Sequence, residues 1–156
     1  MIKEIESRRS IRRYKDIPVK KELIEEILKA GMLAPSSKNR QPWHFIVTTG
    51  SAKEQVLKAM EAGLKREEKQ PFLPESAPYL DGARATLKIM KEAPVIIFIT
   101  DPLASPMDQP LAIDERVSEI CNAQSMGAAI ENMTLAATEL GLGSLWICNT
   151  FLLRKN

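Results

Sequence analysis

The sequence predicts one domain of mixed helix and strand, in which long amphipathic helices outweigh short strands. Three observations carry this expectation. A chain of 156 residues, 44% hydrophobic and 27% charged, has the size and composition of one soluble domain with a buried core. Several long stretches repeat apolar residues at helical spacing, and short β-prone runs lie between and after them. No repeat, low-complexity tract or convincing second domain is visible.

MIKEIESRRSIRRY (1–14) reads as a short N-terminal helix with Ile2, Ile5 and Arg9 along one stripe. After Pro18, the stretch from Lys20 places Leu23, Ile24, Ile27, Leu28 and Leu33 on one helical face, and Gly31 and Pro35 end it. The polar loop SSKNRQ (36–41) leads into a β-prone run, WHFIVTTG (43–50), closed by Gly50. SAKEQVLKAMEAGLK (51–65) is again amphipathic, with Val56, Leu57, Met60 and Leu64 inward. Residues 66–82 hold three prolines and no period, which predicts a mobile surface loop.

ARATLKIMKEA (83–93) returns to a helical pattern. PVIIFIT (94–100) is a continuous apolar run, as expected of a strand covered on both faces. After the Pro-rich DPLASPMDQP, the longest helix is predicted from about Asp114 to Leu140. Its Ile120, Ala123, Gly127, Ile130, Met133, Ala137 and Leu140 spread around the axis, and its small residues permit close packing by another helix or a partner subunit. Gly141 supplies a C-terminal stop, and SLWICN (144–149) reads as a last strand.

Charge is unevenly placed. The first 21 residues carry a local +5, against +2 for the whole chain, and five of the cations fall in RRSIRRYK (8–15). The basicity is therefore local and does not by itself indicate nucleic-acid binding. Cys121 and Cys148 lie outside any CxxC pattern and read as reduced thiols. A single histidine argues against a protein-ligated transition metal. With no apolar N-terminal run and no segment long enough to span a bilayer, a cytoplasmic soluble protein is expected.

On its own residues the Arg cluster has two readings of comparable weight, a solvated charged face or a phosphate clamp. On a helix, Arg8 would share a face with Arg12 and Arg9 with Arg13, and Ser10 adds a hydroxyl donor. Nucleic acid is a third option, disfavoured because only Tyr14 is interleaved for stacking. APSSKNRQPWHF (34–45) by itself reads first as a turn. Yet Ser36, Ser37, Asn39 and Gln41 put four hydrogen-bonding side chains in one short loop, which suits a heterocycle edge or a sugar-phosphate tail.

RRSIRRY, APSSKNRQPWHFIV and GLGSLWICNTF, in this order and spacing, resemble the nitroreductase family of FMN-dependent oxidoreductases. The resemblance implies an α+β fold with a central, mostly antiparallel sheet flanked by helices, and a homodimer holding FMN at its interface. It implies that Arg8, Ser10 and Arg12 contact FMN phosphate, ribityl or pyrimidine oxygens, with Arg9 supporting. Pro35, Ser36, Ser37 and Asn39 match the loop that approaches the flavin from the other subunit, with Gln41 assisting. Lys88 sits where relatives place a lysine near the pyrimidine edge, although Ala85 replaces an Asn found in some of them. Ile147, Cys148 and Asn149 match the strand end whose backbone faces the flavin. Cys148 itself reads as a small buried hydrophobe.

The implied activity is hydride transfer from NAD(P)H through FMN to a small acceptor, typically a nitroaromatic or a quinone, in a ping-pong order. No catalytic side chain is required for it. Arg12 and Lys88 are candidates for the fixed cation that stabilises reduced flavin at its N1/C2 edge. Relatives usually add a further strand, a C-terminal arm and another basic residue after the part matched by FLLRKN. A shortened site with weaker FMN binding is therefore expected, and an FMN-binding or vacant dimeric remnant is the alternative function. Other features carry no chemistry of their own. Gly141-Leu142-Gly143 follows a helix and reads as its stop, His44 as a packed strand residue, and Asp114, Glu115 and Glu119 as an acidic helix start.

Overall fold

The apolar spacing of Leu23, Ile24, Ile27 and Leu28 produces helix α2 (Lys21–Met32) in the computed structural model, which describes residues 1–72, 75–106 and 108–148. The chain divides into two compact units, each drawn from three separate stretches, so they are not sequential domains. The first contains residues 1–10, 19–46 and 97–144. The second contains 11–18, 47–96 and the chain from 145 onward.

In the first unit, α2 and the short α1 (Lys3–Ser7) pack on α5 (Ile113–Glu139). Ile27, Met133 and Ala137 form a buried cluster, with Leu28, Phe45, Ile97, Ile99, Leu140 and Leu142 packed against it. The stripe that α5 buries is Ser125, Ala129, Met133, Thr134 and Ala137, at successive turns of one face. Ile120 and Ala123, expected among its inward residues, are exposed, because they project roughly 140–160° around the axis from Ser125, where the buried stripe begins. Leu33 is likewise exposed; it follows the last residue of α2, where the helical face no longer continues.

The stop after α5 is as expected and has a definite geometry. Gly141 adopts φ +72°, its N–H donates to Thr138 O (3.1 Å), and Leu142 N–H donates to Ala137 O (2.8 Å). This double closure is the glycine-ended helix cap, and it returns Leu142 to the core beside Ala137.

In the second unit, α3 (Gly50–Lys69) buries Leu57, Met60 and Leu64, and α4 (Leu80–Glu92) buries Ala83, Leu87 and Met90. The two helices pack on each other. Lys53 fixes their register by donating from Nζ to Lys91 O (3.0 Å) and Ala93 O (2.6 Å) at the end of α4. Ion pairs join Lys91 to Glu61 and Arg84 to Glu68.

The loop expected over 66–82 is shorter than the sequence suggests. Helix α3 runs on to Lys69, where buried Glu67 accepts the Phe72 N–H through both carboxylate oxygens at 3.1 Å. A single 3-10 turn at Ala77–Tyr79, entered through Pro78, starts α4 at Leu80.

β1 (His44–Thr48) and β2 (Ile96–Thr100) form a two-stranded sheet. Thr48 Oγ1 donates to Ile96 O (3.1 Å), and Thr100 Oγ1 reaches His44 O (3.5 Å), so the strands run antiparallel. β2 is half-buried, not covered on both faces: Ile96 to Ile99 all keep part of their surface exposed and Thr100 is exposed. His44 is exposed instead of packed; it alternates with Phe45, which turns to the core. Among the described residues, the expected last strand (144–149) shows one parallel bridge, between Ser144 and Ser10.

Candidate functional site

The residues expected to hold a cofactor fall in both units. Arg8, Arg9, Ser10, Pro35, Ser36, Ser37, Asn39 and Gln41 belong to the first, and Arg12, Lys88, Ile147 and Cys148 to the second. Asn149 lies outside the described residues.

The Arg cluster is not helical. α1 ends at Ser7, and Arg8 is already extended at φ −54°, ψ 134°. Repulsion between like charges four apart opposes a helix here, and residues 8–14 lack the apolar stripe that could offset it. Arg8 Nε pairs with Glu131 Oε1 of α5 at 3.6 Å, with the two side chains 34% and 46% exposed. A pair this open is worth about 0–1 kcal/mol. It engages Nε, so the two terminal nitrogens are not spent on it. Arg9 turns back on its own chain, donating to Glu6 O (2.8 Å) and Arg8 O (2.7 Å). In the second unit Arg13 lies 3.9 Å from Glu92.

Tyr14 is half-buried, and its hydroxyl donates to Ile11 O at 2.9 Å. Burial pushes its pKa above the ordinary value of 10.0, while the Arg12 cation pulls it down. Arg12→Ala should therefore raise the phenol pKa further, read as a later ultraviolet ionisation transition; an unchanged transition would dismiss the Arg12 influence. A raised folded-state pKa favours the neutral phenol. Its stabilising effect is complete below the unfolded value and is lost as pH rises through the folded one.

The loop after α2 carries unusual backbone. Lys38 (φ +54°), Asn39 (φ +52°) and Gln41 (φ +49°) are all left-handed and none is glycine. Each costs on the order of 1 kcal/mol, and such strain persists only where neighbours over-determine it, commonly at ligand clamps. The neighbours are visible. Ser36 Oγ accepts Gln41 N–H at 3.0 Å, bridging the loop across its own base. Ser37 N–H donates to Ser125 Oγ of α5 at 3.1 Å, and Ser125 Oγ donates in turn to Cys121 O at 2.7 Å. Pro42 is buried and ends the loop into β1, while Pro35, Asn39 and Gln41 are exposed.

Lys88 is exposed on α4, Ile147 is half-buried, and Cys148 is exposed. Cys148 is thus not the small buried hydrophobe expected; among the described residues, 145–148 join no strand that would cover it. Sequence reasoning missed Ser125 and Glu131. Ser125 could have been noticed as the one hydroxyl in line with Ala129 and Met133 at four-residue spacing. Among the described residues no group of His, Cys, Asp and Glu could hold a metal ion, and no helix is long and apolar enough to cross a membrane.

Comparison with known proteins places this chain in a family. The profile of the Nitroreductase family matches residues 5–152, and the chain belongs to that family. It is 35% identical over 146 residues to a candidate NADH dehydrogenase/NAD(P)H nitroreductase of Archaeoglobus fulgidus, covering 94% of this chain and 66% of that protein. A protein of the same description from Methanothermobacter thermautotrophicus is 33% identical over 94% of this chain and 59% of its own length. The chain thus spans about three fifths to two thirds of the length of these relatives.

Among solved structures, a candidate nitroreductase of Desulfovibrio desulfuricans in complex with FMN aligns with TM-score 0.66 and 31% identity, over 94% of this chain and 67% of that one. An FMN-dependent nitroreductase of Clostridium difficile aligns with TM-score 0.63 and 32% identity, over 97% and 69%. The fold is therefore nitroreductase-like: helical, with a small antiparallel sheet.

Proposed function

We propose that this chain is an FMN-dependent oxidoreductase that acts as a homodimer on NAD(P)H and a small acceptor such as a nitroaromatic or a quinone. The observation that carries this reading is membership of the Nitroreductase family over residues 5–152, taken with the FMN bound by the Desulfovibrio desulfuricans relative. The chemistry FMN supplies when bound is hydride acceptance from NAD(P)H and electron delivery to an acceptor that takes the nicotinamide's place, a ping-pong order.

The donor set suits that cofactor. A phosphate dianion calls for guanidinium groups, and Arg8, Arg9 and Arg12 with the Ser10 hydroxyl supply them from non-helical chain. The weak pairing of Arg8 with Glu131 leaves its terminal nitrogens for such an anion. Ribityl hydroxyls and pyrimidine carbonyls call for neutral donors and acceptors, which the loop Pro35, Ser36, Ser37, Asn39 and Gln41 presents to a flavin held by the other subunit. Arg12 and Lys88 supply positive charge for the pyrimidine edge. Ile147, Cys148 and Asn149 contribute main-chain groups.

Titrating the purified protein with FMN while following flavin fluorescence tests the reading, with NADH and NADPH then added anaerobically. Saturable quenching followed by bleaching of the flavin absorbance is the expected result. Binding without bleaching by either nucleotide would make this a flavin-binding protein without turnover. No binding by the folded protein would overturn the proposal.

A further inference from the structure

The loop at 36–41 carries three non-glycine residues with positive φ within four positions, which favour relaxation. Its internal bonds, from Asn39 N–H to Ser36 O (3.0 Å), Arg40 N–H to Ser37 O (3.1 Å) and Gln41 N–H to Ser36 Oγ (3.0 Å), set its local turn but do not anchor it to the rest of the unit. The contact that ties the loop to the helical core is Ser37 N–H to Ser125 Oγ at 3.1 Å. Ser125 lies on the buried stripe of α5 and is only 6% exposed. Its hydroxyl is oriented by donating to Cys121 O one turn earlier at 2.7 Å, which aims an oxygen lone pair outward at the loop. The whole arrangement lies within the first unit.

We propose that Ser125 is a positioning residue for cofactor binding: from the core of α5 it fixes the Ser36–Gln41 loop in the strained conformation that meets the flavin. This rests on the FMN reading above, but the contact itself can be tested in the free protein. An alanine at 125 fits the site and favours the helix, so folding is kept while the acceptor for Ser37 N–H is lost. Threonine retains a hydroxyl able to bond the carbonyl one turn back, and therefore serves as the rescue.

The experiment measures amide hydrogen exchange at Ser37 and at core amides of α5, and FMN affinity, in the wild type, Ser125→Ala and Ser125→Thr. In the free Ser125→Ala protein, Ser37 should exchange about tenfold faster with core amides unchanged, and FMN should bind about tenfold more weakly, as expected for one lost hydrogen bond. Ser125→Thr should restore both. Unchanged exchange at Ser37 would show that Ser125 does not hold the loop. Faster exchange with unaltered FMN affinity would show that the loop is held but not for the cofactor, and either result overturns the proposal. A wild type that binds no FMN would instead overturn the functional reading and this positioning role with it, while exchange still reports the contact. If Ser125→Ala does not fold, Ser125→Cys keeps the volume with a much weaker acceptor and takes its place.

Discussion

Replacing Arg8 and Arg12 together by alanine should weaken FMN binding by about a hundredfold to a thousandfold, the largest functional effect expected of any pair in this chain. Hydrogen bonds to charged partners contribute about 1.5–3 kcal/mol each, so two lost guanidinium contacts remove about 3–4 kcal/mol even if neither is ideally bidentate. For Arg8 the loss is compounded. Its removal also takes away the cation 3.6 Å from the Glu131 carboxylate, leaving that negative charge uncompensated on the side from which Arg8 would meet a phosphate. The competing account, a solvated charged face, predicts no specific loss.

Arg13→Ala is the control that separates the two. Arg13 belongs to the same basic run, has a side chain 86% exposed, and pairs only loosely with Glu92. Fluorescence titration in low and moderate salt reads both variants. If the double variant and Arg13→Ala lose equal affinity, the cluster acts through general charge and the clamp is refuted. A loss confined to Arg8 and Arg12, with a shallower salt dependence, supports specific phosphate contacts.

The helices that bury a long apolar stripe were legible because periodicity and packing point the same way. α2 and α5 lie within a residue or two of the bounds their spacing suggests, and the Gly141 stop is where a left-handed residue was needed. Where long-range contacts decide, the sequence was silent. The extension of α3 to Lys69 depends on Glu67 capturing a backbone N–H from beyond the helix, which no local pattern announces. The Arg segment showed its charge but not its non-helical backbone, since helical spacing of cations looks favourable until their mutual repulsion is counted. In the candidate site, the side chains of the 36–41 loop were visible as a cluster of donors, yet its strain was not. Left-handed Lys, Asn and Gln carry no glycine signal, and the loop's bond to α5, from Ser37 N–H to Ser125 Oγ, joins residues more than eighty positions apart.

At the crossing of α2 and α5, Gly31 is buried in the final turn of α2. A Cβ at this position would lie 2.9 Å from both Cγ and Sδ of Met133 and 3.0 Å from Cζ of Phe45. Two effects oppose each other in Gly31→Ala. Helix propensity favours alanine by at most about 1 kcal/mol, less near a helix end. Overpacking a filled core costs about 1–3 kcal/mol, and Met133 is poorly placed to yield because its inner Cγ, not only its flexible tip, is in the way. Alanine should therefore destabilise slightly. Gly31→Val, which adds two more carbons in the same gap, should cost about 3 kcal/mol and lower the melting temperature by about 6–12 °C. A double-mutant cycle with Met133→Ala locates the cause. Once Cγ and Sδ are removed, Gly31→Ala should turn neutral or stabilising, because the half-buried Phe45 ring can tilt away while Met133 could not. Additive losses in that cycle would place the cost in the backbone of α2, and the packing account of Gly31 would fail.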